Sequence, residues 1–224
     1  MNKLLNLLQH QNLVWHGSEH KQALPSLTSG YQELDHKLDG GFSQCGVVDI
    51  QTARGIGELR LLLPYMLEQQ GLIAFINPPG QLCAEMLQHY GWDISQILNI
   101  FPRASNDGLW AAEQCLKSGA CGTVVLWQET MEVHHIKRLQ VASETGQCLL
   151  FLMRSAHQSF SSLPVSLCLA LVAQEQGIGV EIRKRKGGWA QSEFTVDMSK
   201  QWPALTIEHP TYASYQTSKK VASL

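Results

Sequence analysis

The residues best placed for chemistry are Gln51-Thr52-Ala53-Arg54-Gly55-Ile56-Gly57-Glu58-Leu59, which follow the apolar run Val47-Val48-Asp49-Ile50. A buried strand, a glycine-bearing loop and a helix, in that order, can cradle phosphates on backbone N–H groups and a helix N-terminus. Laid on G-x-x-x-x-G-K-[ST], Gly57 takes the second glycine. Thr52 stands at the first glycine, Glu58 at the lysine and Leu59 at the magnesium-binding hydroxyl, while Gly55 lies inside the loop. The lysine-to-glutamate exchange is about two charge units beside a triphosphate, and one unit charge at about 4 Å is worth roughly 4 kcal/mol at an effective dielectric near 20. Leu59 offers no oxygen to Mg²⁺, which requires oxygen ligands. An acid in a first helical turn complements the helix dipole. The loop is therefore expected to hold no nucleotide or other cofactor and to support no ATPase chemistry.

Other chemistry is sparse. The six cysteines (Cys45, Cys83, Cys115, Cys121, Cys148 and Cys168) form no C-x-x-C, and most sit inside apolar runs, the usage of buried thiols in a reducing compartment. His134-His135 is the one adjacent histidine pair, and no Cys/His group has ligand spacing, so no metal site is expected. No Ser/His/Asp or Cys/His triad can be assembled without inventing proximity. With Lys+Arg 17 against Asp+Glu 19, the net charge of −2 leaves no whole-domain footprint for nucleic acid. The apolar runs, such as 148–153, fall far short of the ~20 residues a membrane span needs. The N-terminus MNKLLNLLQHQNLVW lacks a signal-peptide cleavage site, so a cytoplasmic location is expected.

The elements that would hold the loop read clearly. Apolar strand-like runs at 47–50, 72–76, 97–100, 123–127 and 148–153 alternate with helical segments at 58–70, 82–90, 108–118 and 133–145. That alternation predicts βαβ units and a parallel sheet covered on both faces. Further strands at 167–174, 179–185 and 193–198, with a turn at Lys186-Gly187-Gly188, predict an antiparallel edge. In 24–41, Leu34 and Leu38 keep a helical period, with Ser29 as a cap and Gly40-Gly41 as a stop. Pro64 is expected to kink its helix or shift the start. Residues 1–22 read as a helix and linker, 23–202 as one α/β domain, and 203–224 as a polar, mobile tail.

LTSGYQELDHKLDGGFSQCGVVDI, GLIAFINPPG, LQHYGWDISQILNI, LWAAEQCLKSGACGTVVLW and CLLFLMR follow the order and spacing of the RecA recombinase core. The resemblance implies a RecA-like α/β fold: a mostly parallel twisted sheet flanked by helices, with an antiparallel C-terminal hairpin at its edge. ARGIGELRLLLP, KSGACGTVVLW and RLQVASETGQCLLFLMR resemble the ImuA family of SOS-induced, error-prone translesion synthesis. ELRLLLP and TVVLW are also similar to SulA, the SOS inhibitor of cell division. Where RecA carries a water-activating glutamate, this chain has Asn77-Pro78-Pro79-Gly80. Where RecA has a magnesium-supporting aspartate, it has Trp127-Gln128, with Glu129 past the strand end.

The resemblance thus implies a non-catalytic adaptor. Its partners would be an ImuB-type polymerase-like protein, an error-prone replicative-type polymerase, RecA and, weakly, single-stranded DNA. The alternative is a SulA-type inhibitor that binds the tubulin-like FtsZ. SulA-like chains lack the LTSGYQELDHKLDGG block and the basic hairpin, which inclines the reading towards the adaptor. That hairpin holds Arg183-Lys184-Arg185-Lys186 and Trp189. Strand alternation would set Arg183 and Arg185 on one face and Lys184 and Lys186 on the other, a plausible phosphate-and-stacking site or a charge-protected edge. Leu4, Leu5 and Leu8 form an apolar helical face for RecA, another copy, a polymerase-like partner or the chain's own core. Trp110 and Trp202 are candidate aromatic anchors, and Trp127 is expected in the core.

Overall fold

The computed structural model describes residues 26–155 and 163–203. Ten strands and five α-helices lie along them, alternating from Gly46 to Ser155. The strands are β1 (Ser26–Leu27), β2 (Phe42–Ser43), β3 (Gly46–Thr52), β4 (Leu72–Ile76), β5 (Ile97–Ile100), β6 (Cys121–Trp127), β7 (Leu149–Ser155), β8 (Leu167–Gln174), β9 (Gly177–Arg185) and β10 (Gln191–Asp197). The helices are α1 (Gln32–Lys37), α2 (Glu58–Leu67), α3 (Ala84–His89), α4 (Ser105–Lys117) and α5 (Val133–Gly146). The main sheet has eight strands in the order β10-β9-β8-β3-β7-β6-β4-β5. From β8 to β5 every pairing is parallel, and β9 and β10 add antiparallel. This is a mixed α/β fold with a mostly parallel sheet flanked by helices, and its antiparallel margin matches the expectation. β1 and β2 form a separate two-stranded antiparallel sheet.

Each sheet face buries its own cluster. Leu34 of α1, Leu61, Leu62 and Tyr65 of α2 and Leu87 of α3 pack over Val48, Ile50, Phe151 and Leu169. Ala112 and Leu116 of α4 and Ile136 and Leu139 of α5 pack over Val47, Val124, Leu150 and Leu152 on the other face. β3 is buried along its whole length, as expected of a central parallel strand covered on both sides. Cys121, Cys148 and Cys168 are buried, whereas Cys83 is exposed.

The charged groups inside the sheet are paired, although the buried Thr123 hydroxyl on β6 has no hydrogen-bond partner. Arg154 on β7 donates to Asp49 on β3 from Nε at 2.8 Å and Nη2 at 2.6 Å, with both side chains almost fully buried. Gln51 donates to Asp49 at 3.0 Å and accepts from Arg183 of β9 at 2.6 Å. The chain of bonds therefore crosses from β7 to β9. The pairing of Asp49 with Arg154 did not stand out in the sequence, because an Asp and an Arg 105 positions apart carry no local signal.

Pro64 lies inside α2 without breaking it. A proline has no N–H for the carbonyl four residues back, here Arg60. The Tyr31 hydroxyl supplies the missing donor at 2.8 Å and itself accepts from the Trp202 indole at 3.1 Å. Gly30, at φ +87°, allows this approach, since a Cβ there would sit 2.3 Å from Pro64 Cβ. Tyr31, not Ser29, is the N-cap residue of α1. Ser29 instead donates through its N–H (2.7 Å) and hydroxyl (2.6 Å) to Asp35. Trp202, expected as an interface residue, is 4% exposed and belongs to the core.

Two outcomes follow from these contacts. Asp49→Ala leaves Arg154 buried without its counter-charge, so urea unfolding should report a loss of about 3–5 kcal/mol. Burial pushes the Tyr31 hydroxyl up to about 12 from 10.0. A folded value above the unfolded one means that the stabilisation is complete below pH 10 and is lost as pH rises towards 12. Wild type minus Tyr31→Phe, compared by denaturant titration across that window, should fall by about 2–3 kcal/mol.

Candidate functional site

β3 ends at the loop 53–57, and α2 starts at Glu58. Gly55 and Gly57 have φ of +79° and +94°, conformations that turn successive N–H groups towards one point. The Glu58 carboxylate occupies that point. Its Oε1 accepts the Gly55 N–H at 3.2 Å and its Oε2 accepts the Gly57 N–H at 3.1 Å, and the residue is only 7% exposed. The acid thus satisfies loop amides as well as facing the positive end of α2. Thr52 is buried and donates to the Ala53 carbonyl at 2.8 Å, and Leu59 packs partly buried against the core.

The loop is also strapped to the next strands. Arg54 Nη2 lies 3.0 Å from Glu129 Oε1, while Glu129 Oε2 accepts the Ser155 N–H at 2.9 Å. Glu129 therefore ties the loop to the ends of β6 and β7. Beside it opens a cleft of about 430 Å³, lined by Arg54, Asn77, Pro79, Arg103, Gln128 and Glu129 among others. It lies outside the carboxyl ends of parallel strands, where open α/β sheets place ligands. Asn77, at φ +56°, donates its side-chain amide to the Trp127 carbonyl at 3.1 Å and its N–H to Ile100 at 2.8 Å. Trp127 is buried and stacks near Phe75, as expected for a core residue. Among the described residues no group of three or more His, Cys, Asp or Glu could hold a metal ion.

The basic hairpin is assembled differently from the sequence expectation. A register break at Cys168/Leu169 makes Arg183 an extra residue on β9, so Lys184 pairs with Cys168 and Ile182 with Leu169. Arg183 and Arg185 consequently face opposite sides of the sheet. Arg183 reaches Glu181 (3.0 Å) and Gln51 (2.6 Å), and Lys184 donates to the Leu163 carbonyl at 2.7 Å. Arg185 donates to the Lys37 (3.2 Å) and Leu38 (2.7 Å) carbonyls at the end of α1 and pairs with Asp39 at 2.8 Å. Lys186 is exposed, and Trp189 is 88% exposed. Trp110 is 62% exposed on α4. Leu4, Leu5 and Leu8, the linker to residue 22 and residues 204–224 of the tail lie outside the described residues.

No family model matches the chain. It is similar to the cell division inhibitor SulA of Photorhabdus laumondii, 30% identical over 99 residues, which are 42% of this chain and 55% of that protein. The chain thus spans about half the length of this relative. The crystal structure of SulA from Pseudomonas aeruginosa is 27% identical, covering 48% of this chain and 97% of that one, with a TM-score of 0.41. The similarity to SulA overturns the assignment to the ImuA family. With it fall the translesion adaptor and its partners, namely the ImuB-type protein, the error-prone polymerase, RecA and single-stranded DNA. Parts of the two features that favoured the adaptor pack against each other. The LTSGYQELDHKLDGG block contains α1, and Arg185 of the hairpin closes the C-terminus of that helix, so the two are packed together. No helix among the described residues is long and apolar enough to cross a membrane.

Glu58→Ala should strip the Gly55 and Gly57 amides of their acceptor and cost about 1–3 kcal/mol in urea unfolding. Glu58→Gln, which keeps one acceptor oxygen, should cost less.

Proposed function

We propose that this chain is a non-catalytic, SulA-type inhibitor of cell division in the SOS response, built on a RecA-like core whose phosphate loop has become a structural turn. The observation that carries the reading is the sequence match to SulA. The two blocks similar to SulA, ELRLLLP and TVVLW, form most of α2 and β6 here, so the likeness lies in the elements around the loop and cleft. The Glu58 carboxylate on the loop amides supports the absence of nucleotide chemistry, because an entering triphosphate would have to displace a buried acid and then lie beside it. The action is then exerted through surfaces, in the cytoplasm, and the partner is FtsZ.

Two measurements test this. Overexpression in a bacterium that divides through FtsZ should give filamentous cells, and purified chain should lower FtsZ assembly in a sedimentation assay. Cells that keep dividing, with FtsZ assembly unchanged, would refute the inhibitor. Calorimetry with ATP, with and without Mg²⁺, should show no heat of binding, and micromolar affinity lost on changing Gly57 would refute the structural reading of the loop.

A further inference from the structure

Three of the six cysteines gather on one face of the sheet. Cys121, the first residue of β6, and Cys148, just before β7, belong to the core cluster under α4 and α5, and Cys115 of α4 packs half-buried against that cluster. A tight turn joins α4 to β6. The helix ends at Lys117, the Ser118 N–H donates to the Gln114 carbonyl at 3.0 Å, and Gly119 takes φ +67°. The Ser118 hydroxyl donates back to the Cys115 carbonyl at 2.8 Å and accepts the Ala120 N–H at 3.1 Å. The Ala120 carbonyl accepts the Leu72 N–H of β4 at 2.8 Å, which fixes the start of β6. The end of the helix is thereby held over the first residue of the strand, and the Cys115 thiol donates a hydrogen bond to the Cys121 sulfur.

We propose that Cys115 and Cys121 are a redox-sensitive pair, oxidised by hydrogen peroxide to a disulfide that ties the end of α4 to the start of β6. Two sulfurs already in contact have only to close to the ~2.0 Å of an S–S bond. In the first step the Cys121 thiolate attacks one peroxide oxygen. The O–O bond breaks, hydroxide leaves, and Cys121 becomes a sulfenic acid. In the second step the Cys115 sulfur attacks the sulfenic sulfur. The S–S bond forms, the S–O bond breaks, and the Cys115 proton leaves with the hydroxyl as water. The proton that Cys121 lost neutralises the hydroxide. Two thiols thus supply two electrons to one peroxide and give one disulfide and two waters.

The surroundings separate this pair from the other cysteines. The Cys115 thiol above all, with the Ser118 hydroxyl, brings Cys121 down to about 7 from 9.0 against the opposing effect of burial. Its thiolate, the nucleophilic form, is therefore present at neutral pH. Cys115 holds its own proton more tightly, because that proton is shared with Cys121. Burial pushes up Cys148, the third titratable group in the cluster, and pushes Cys168 up to about 12, so both stay thiols. Cys121 is 5% exposed, which admits a small oxidant and resists a bulky one, while Cys115 stands half-buried on the solvent side to resolve the sulfenic acid.

Peroxide treatment of the reduced full chain, followed by tryptic mapping without reductant, tests this, whether or not the chain inhibits division. Trypsin cuts after Arg103, Lys117 and Lys137, so the two sulfurs fall on peptides 104–117 and 118–137, and a Cys115–Cys121 disulfide would join them. The joined species should form with hydrogen peroxide, revert with dithiothreitol, and form at least tenfold more slowly with oxidised glutathione. Its rate of formation should rise through pH 7 and not wait for pH 9. Cys148→Ala should leave it intact. Cys115→Ala should abolish it and move the alkylation midpoint of Cys121 up towards 9, with circular dichroism checking the fold. Separate peptides after peroxide would overturn the proposal. So would a link from Cys121 to Cys148, equal rates with the two oxidants, or a rate that first rises near pH 9.

Discussion

The buried pair of Asp49 and Arg154 holds together the half of the sheet on which the candidate site stands. Two charges taken out of water are costly unless the geometry is close and the remaining polar atoms are satisfied. Here the guanidinium is bidentate, Gln51 donates to the carboxylate, and the Cys168 thiol lies 3.6 Å from it. An apolar pair would fill the space as well, but it would not link β7, β3 and β9 in one register. The pair sits directly before the loop and before the strand end that Glu129 grips, so the edges of the cleft are referred to a common frame.

The loop above that frame was built to receive an anion and receives one from its own chain. Gly55 and Gly57 take the positive φ that gathers N–H groups, and Glu58 fills the resulting nest. The same carboxylate meets the amides, faces the helix dipole and repels phosphate. One residue thereby completes the turn. The Arg54–Glu129 pair is exposed and adds little stability by itself, but it sets where the cleft begins.

Helix α2 shows how a local defect becomes a tertiary link. Pro64 leaves the Arg60 carbonyl without its helical donor, and Tyr31 fills the place only because Gly30 lets α1 come close. Trp202 then closes over Tyr31. Arg185 caps α1 from the far side of the chain. Residues that suggested a separate function, a glycine-flanked N-terminal block and a basic hairpin, are bound to each other and to α2.

The parallel sheet, the helices between its strands and the antiparallel margin were legible in the sequence. They rest on local signals: apolar runs and glycine stops. Similarity to ImuA misled, because short blocks that mark strands and helices do not carry function. The partners of the cations, the place of Trp202 and the pairing of Asp49 with Arg154 were decided only in the tertiary structure. Each depends on which distant strands become neighbours, and the bulge that turns Arg183 away from Arg185 arises from register with β8, which no window of sequence contains.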